Sequence, residues 1–130
     1  MRGQAHSPTE TEMAHAEFKK ALKTADEIEL VVSGRKSGRK TARPVWFVQD
    51  GDKLYLLPVK GSDTEWFKNV LKNPTITLAD DDLKATAMAR PITDPVRVHE
   101  VVDKFRTKYG ADNAKKYYSK FDVAVEVPLA

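Results

Sequence analysis

The alternation of apolar and polar positions divides the chain into an opening helix, a run of strands interrupted by one short helix, and a closing helical segment with a last strand. Residues 14–25 set Ala14, Phe18, Ala21, Leu22 and Ala25 at helical spacing and turn Lys19, Lys20 and Lys23 outward, which predicts an amphipathic helix. Residues 1–13 are polar and without period, so they read as a flexible arm ahead of a single domain, 14–130. Residues 28–33 are β-branched and alternate weakly, as a strand buried on at least one face does. A second strand is predicted over 41–49, with Ala42, Pro44, Trp46 and Val48 on one face and Arg43, Val45 and Phe47 on the other. Pro44 has no N–H for a ladder, so this strand should have an edge or a bulge there. Asp50-Gly51-Asp52 predicts a hairpin turn that returns through a third strand, 53–59.

Residues 64–72 carry Trp66, Phe67, Val70 and Leu71 on one helical stripe, with Asp63 or Thr64 as N-cap and Asn73-Pro74 as the stop. Strands are expected at 75–79 and 83–92 around the turn Asp80-Asp81-Asp82. Thr93-Asp94-Pro95 starts a helix whose apolar face, Val98, Val101, Val102, Phe105 and Tyr109, runs up to a closing Gly110. A short helix over 111–120 carries Tyr117 and Tyr118, and a sixth strand follows at 122–127. Five sequential antiparallel strands and a late-returning sixth predict an α+β, mainly β protein: a small six-stranded barrel with flanking helices.

Composition narrows the setting. A chain of 130 residues with 32% charged side chains is long enough for one core and too short for two. It has no apolar run of membrane-spanning length, no leading apolar segment and no cysteine, which together predict a cytoplasmic protein without disulfides or thiolate chemistry. Residues 1–27 carry four basic and five acidic side chains, 28–78 nine and five, and 79–130 nine and nine, so the net charge of +3 belongs to the centre of the chain. Such a local excess points to a local anionic ligand.

Two turns concentrate that charge. In Gly34-Arg35-Lys36-Ser37-Gly38-Arg39-Lys40, and at Arg43 beyond it, no acid intervenes, so the cations can hold phosphate or carboxylate or can simply solvate a hairpin tip. In Lys60-Gly61-Ser62-Asp63-Thr64 a cation, a glycine, a hydroxyl and a helix start follow a strand, an arrangement that points N–H groups at an anion. Trp46 and Trp66 are either core or the wall of an aromatic site. Tyr109, Tyr117 and Tyr118 either pack or line a substrate pocket. His6, His15 and His99 lack partners at metal-ligand spacing, and the three aspartates read as a solvated turn, so no metal site is expected.

The motifs in order, Gly34-Arg35-Lys36-Ser37-Gly38-Arg39, Arg43-Pro44-Val45-Trp46-Phe47, Asp50-Gly51, Leu54-Tyr55-Leu56, Lys60-Gly61, Trp66-Phe67-Lys68-Asn69-Val70 and Asn73-Pro74, resemble the deazaflavin-dependent nitroreductase family. That family belongs to the flavin/deazaflavin oxidoreductases related to pyridoxamine 5'-phosphate oxidase. The resemblance implies a split β-barrel, a homodimer, and a cofactor near the dimer interface. It implies that Arg43, Pro44, Val45 and Trp46 lie along the cofactor ring with Trp66, that Lys60, Gly61, Ser62 and Lys68 hold phosphate, and that Arg35 and Arg39 neutralise anions. The cofactor is the deazaflavin coenzyme F-420 or FMN. The first turn resembles the deazaflavin users more, whereas the short connection Ser62-Asp63-Thr64-Glu65 before Trp66 is closer to FMN-binding relatives. The implied activity is hydride transfer to a small electron-poor acceptor such as a quinone or nitro compound. A non-catalytic flavin or tetrapyrrole carrier on the same barrel is the alternative, and nucleic-acid binding through the basic hairpin a third reading.

Overall fold

The computed structural model describes residues 10–81 and 83–129. Met1 to Thr9 of the expected arm, with His6, and Asp82 of the acidic turn lie outside the described residues. The elements run α1 (Glu10–Leu22), β1 (Ile28–Ser33), β2 (Lys40–Val45), β3 (Phe47–Asp50), β4 (Lys53–Leu56), a 3-10 turn (Gly61–Asp63), α2 (Glu65–Lys72), β5 (Thr75–Asp80), β6 (Leu83–Met88), β7 (Arg90–Ile92), α3 (Pro95–Tyr109), α4 (Ala111–Tyr117) and β8 (Ala124–Pro128). α1 thus begins four residues before the expected Ala14 and ends at Leu22.

Among the described residues, eight strands form two antiparallel four-stranded sheets, ordered β2-β1-β5-β6 and β3-β4-β8-β7. With four helices this is an α+β split barrel. The expectation of six strands is corrected because two of them change sheets part-way. The predicted strand 41–49 pairs with β1 as far as Val45, opposite Ile28, and pairs with β4 from Phe47, opposite Leu56. Trp46 is the corner. The predicted strand 83–92 turns the same way at Ala89, between the Met88–Thr75 and Arg90–Glu126 pairs. Strands that switch sheets at a bend are how barrel corners are made. The period-2 pattern continues through such a corner, so the break does not show in it. Pro44 lies on β2, an edge strand, as its missing N–H requires.

Two apolar cores follow from this arrangement. The barrel interior gathers Leu30, Val32, Phe47, Leu54, Leu56, Ile76, Leu78, Val125 and Val127, capped by Phe18 and Leu22 of α1 and by Trp66, Phe67 and Val70 of α2. The second core lies outside the sheet of β3, β4, β8 and β7, where Tyr55, Leu57 and Ile92 meet Val98, Val101, Val102 and Phe105 of α3. β4 is therefore buried on both faces, which explains its unbroken Leu54-Tyr55-Leu56 run. α3 starts as expected, with Asp94 accepting a hydrogen bond from the Val96 N–H and Pro95 in the first turn.

The first basic turn is tied down on one side. Asn69 Oδ1 on α2 accepts from the Arg35 N–H (3.1 Å) and Nη1 (2.9 Å), Glu65 Oε2 accepts from Arg35 Nη2 (3.0 Å), and Asn73 Nδ2 donates to the Gly34 carbonyl (3.2 Å). Asn69→Ala removes the acceptor shared by two donors, and an expected loss of about 1–2 kcal/mol is measurable by chemical denaturation. An unchanged midpoint would mean that packing alone holds the turn.

Candidate functional site

The corner at Trp46 builds the site. Its indole has Tyr109 and Tyr117 at 4.2 Å between ring centroids and nearly parallel, 11° and 22° between planes. The two tyrosines make no ring contact with each other, so they cover opposite faces of the indole. Tyr118 stands edge-on at 6.0 Å. The chain places Trp46 there because Val45 and Phe47 both turn into the barrel, which sends the residue between them outward against the end of α3 and α4. Tyr109 also fastens the corner, since its hydroxyl accepts from the Phe47 N–H (3.1 Å) and faces the carbonyls of Phe47 and Asp26 (2.8 Å each).

Beside this stack a cleft of about 240 Å³ opens. Arg43, Pro44, Val45 and Trp46 from the corner line it together with Leu57, Val59, Thr64, Trp66, Tyr117 and Tyr118. Trp66 is 3% exposed and meets Phe67 edge-on. Tyr118 is also 3% exposed, and its hydroxyl is a buried polar atom with no hydrogen-bond partner among the described residues. Burial, reinforced by repulsion from Tyr117 and Tyr109, pushes the Tyr118 phenol far above its ordinary range, so it is a donor and never a phenolate near neutrality. Burial also raises Tyr117, with Glu27 adding to the shift and the Arg43 guanidinium working against it. One cationic and four aromatic side chains thus line a common space.

Of the candidates from sequence, the structure brings Arg43, Pro44, Val45, Trp46 and Trp66 to this cleft. The others are elsewhere. Arg35 is engaged by α2, Arg39 is exposed on the turn, and Lys68 is half-buried on α2 outside the cleft lining. Lys60 is exposed, and its N–H donates to Thr64 Oγ1 (2.8 Å). Thr64 does hold the N-cap position of α2, but that hydrogen bond turns its hydroxyl back to Lys60 instead of capping the helix. Gly61 is buried with φ +55°, and Ser62 gives both its N–H (2.9 Å) and its hydroxyl to the carboxylate of Asp122. Sequence reasoning left Tyr117 and Tyr118 open between packing and pocket, and they do both. Leu57, Val59 and the buried Thr64 were not singled out as lining; an isolated threonine between a glycine turn and an aromatic stripe was the available signal. His99 meets Asp103 at 3.4 Å on α3, and no group of three metal-ligating side chains comes together among the described residues. No helix among them is long and apolar enough to cross a membrane.

Residues 19–125 match a family model described as an uncharacterized protein conserved in bacteria, DUF2255. The chain belongs to DUF2255. No curated protein matches it. Among solved structures, this DUF2255 chain is similar to an F420-H2 dependent reductase, FDR-A, at 22% identity and a TM-score of 0.61, over 78% of this chain and 93% of that one. It is similar to a pyridoxamine 5'-phosphate oxidase-like protein from Listeria innocua at 13% identity and 0.64, over 87% and 90%. It is also similar to HutZ, a heme storage protein from Vibrio cholerae, at 13% and 0.65, over 87% of each chain. These likenesses establish that the DUF2255 fold is the split barrel of the deazaflavin reductase and pyridoxamine 5'-phosphate oxidase type. They do not choose a ligand, because one fold hosts reductases and a heme protein alike.

Proposed function

We propose that this DUF2255 protein is a reductase that seats the ring of a flavin or deazaflavin, FMN or coenzyme F-420, at the Trp46–Trp66 cleft and serves a small electron-poor acceptor such as a quinone or nitro compound. The observation that carries this reading is a cleft lined by Trp46, Trp66, Tyr117, Tyr118 and Arg43, where Tyr118, 3% exposed, has a buried hydroxyl without a hydrogen-bond partner among the described residues. A buried donor without an acceptor costs stability of about 1–3 kcal/mol, a cost recovered when a ligand carbonyl arrives. The cleft, about 240 Å³, is smaller than the roughly 300–1,000 Å³ of an enclosing site. It suits one edge of a fused-ring system, with the remainder along the exposed strand β2. The ring, when bound, supplies the hydride. Arg43 offsets negative charge on it, Tyr118 orients it through one hydrogen bond, and Trp46 and Trp66 keep water from its buried edge.

The reading includes a homodimer whose second copy closes the β2 side, a cytoplasmic location, and residues 14–130 as the cofactor-binding domain. Arg39, Lys60 and Lys68 would contribute a screened, long-range positive potential and no direct contact to a phosphate. No histidine among the described residues lines the cleft, and burial raises Tyr117 and Tyr118 against the phenolate form that ligates iron, which together disfavour an iron-ligating tetrapyrrole site there. Titration of the purified protein with FMN and with coenzyme F-420, read by tryptophan fluorescence, is the test. Micromolar binding of one is expected, and binding of heme alone would transfer the assignment to a carrier. Tyr118→Phe should lower that affinity by about tenfold while leaving the folded protein as stable or more so. Unchanged affinity would remove Tyr118 from the site.

A further inference from the structure

The Lys60-Gly61-Ser62 turn has the form of an anion seat, and the chain fills it with its own carboxylate. Asp122 Oδ1 receives the Ser62 N–H at 2.9 Å, and Oδ2 receives the Ser62 hydroxyl. Gly61, at φ +55°, leaves room that a side chain would take, since a Cβ there would collide with the Asp122 carboxylate. Lys60 and Lys120 lie side by side through a parallel bridge. Lys120 Nζ stands 3.6 Å from Asp122 and 3.2 Å from Asp63. Burial works to raise the Asp122 carboxyl, but the Ser62 hydrogen bonds and the Lys120 ammonium outweigh it and hold the group below the ordinary carboxylate range. The Lys120 ammonium thus stands between two carboxylates, and both Ser62 donors are spent.

We propose that Asp122 is a specificity-determining residue that occupies this seat and excludes phosphate, so that the protein recognises a ligand by its ring and does not distinguish a phosphorylated from an unphosphorylated form at this turn. An incoming phosphate meets a fixed negative charge in the position it would take, and the Ser62 N–H and hydroxyl are already bonded to Asp122. With Asp122 removed, the same turn offers an N–H, a hydroxyl and the Lys120 ammonium to an anion, with Asp63 still opposing. Nothing in this requires that the Trp46 cleft bind a flavin.

The test uses inorganic phosphate as probe and the amide resonances of Gly61 and Ser62 as readout. Wild type should show no saturable shift through the millimolar range, and Asp122→Ala should show one. Asp122→Ser serves the same purpose if the alanine variant does not fold. A saturable response in wild type, or silence in a folded variant, overturns the proposal. A residue that merely braced the turn would lose stability on substitution without gaining phosphate. Riboflavin and FMN provide the second readout. Wild type should bind them within about twofold of each other, and Asp122→Ala should favour FMN by about tenfold or more, the size of one charge-assisted hydrogen bond. A strong FMN preference in wild type that Ser62→Ala abolishes would overturn the proposal as well. If neither flavin binds, the FMN form of the ring assignment falls, titration with coenzyme F-420 decides the other, and the phosphate response still decides the role of Asp122.

Discussion

Trp46→Ala is expected to lose ligand binding by about a hundredfold or more and to destabilise the fold by about 3 kcal/mol, near the lower end for truncating a large aromatic side chain. Both effects have the same origin. The indole is the middle layer of the Tyr109–Trp46–Tyr117 stack, so its removal leaves a ring-sized gap and deprives two tyrosines of their partner. It also lines the cleft with Arg43 and Tyr118, so the cleft loses apolar surface when the indole is removed. Trp46→Phe separates the two contributions, because it restores part of the stack without the breadth of the indole. It should recover most of the stability and only part of the affinity. Denaturant midpoints and fluorescence titration of both variants measure this, and an alanine variant that binds as wild type would remove Trp46 from the site.

The strands were legible because burial is one-sided along most of them. Ile28–Ser33 matches its expected bounds, and the Asp50-Gly51-Asp52 turn closes the hairpin of β3 and β4 as read, with Gly51 at φ +62°. α3 was legible for a different reason, since Asp94, Pro95 and Gly110 mark its ends independently of its apolar face. The two corners were not legible. Alternation reports which face a side chain takes and says nothing about which neighbour the backbone pairs with, so one predicted strand at Trp46 and another at Ala89 each proved to be two.

The site was legible only in its local part. Arg43, Pro44, Val45, Trp46 and Trp66 belong to motifs that a single stretch of chain contains. Tyr109, Tyr117 and Tyr118 reach them from more than 40 residues away, and helical spacing gave them an equally good reason to pack. Asp122 is the sharper case. It was expected to open the last strand, yet β8 begins only at Ala124, and Asp122 reaches back across the barrel end to Ser62. A turn built to hold an anion looks the same in sequence whether its anion is a ligand or a side chain 60 residues on.

Tyr109→Phe is expected to cost about 1–3 kcal/mol at neutral pH and to flatten the loss of stability in alkali. The Tyr109 hydroxyl accepts from the Phe47 N–H and has the Phe47 and Asp26 carbonyls at 2.8 Å. Phenylalanine leaves that N–H without this acceptor at the corner where β2 passes into β3. Lys108 Nζ still reaches the Phe47 carbonyl at 2.8 Å, which limits the damage on the acceptor side. The pH dependence follows from the direction of each shift. Burial moves Tyr109 up to about 12 from an ordinary 10.0, so above pH 10 the unfolded chain releases its proton before the folded one does. The folded state then binds more protons, and stability, fully present below pH 10, falls as pH rises through 12. Tyr117 and Tyr118, also raised by burial, act in the same sense. Lys108 acts in the opposite sense. Burial lowers its pKa below 10.5, so the folded state loses that proton first, and the resulting gain is complete once the unfolded lysine titrates at 10.5. The decline should therefore steepen beyond about pH 10.5, where Lys108 no longer offsets the tyrosines. Denaturant unfolding measured across that range should give a shallower slope for Tyr109→Phe than for wild type. Equal slopes would mean that the Tyr109 phenol ionises in the folded protein as readily as in the unfolded chain.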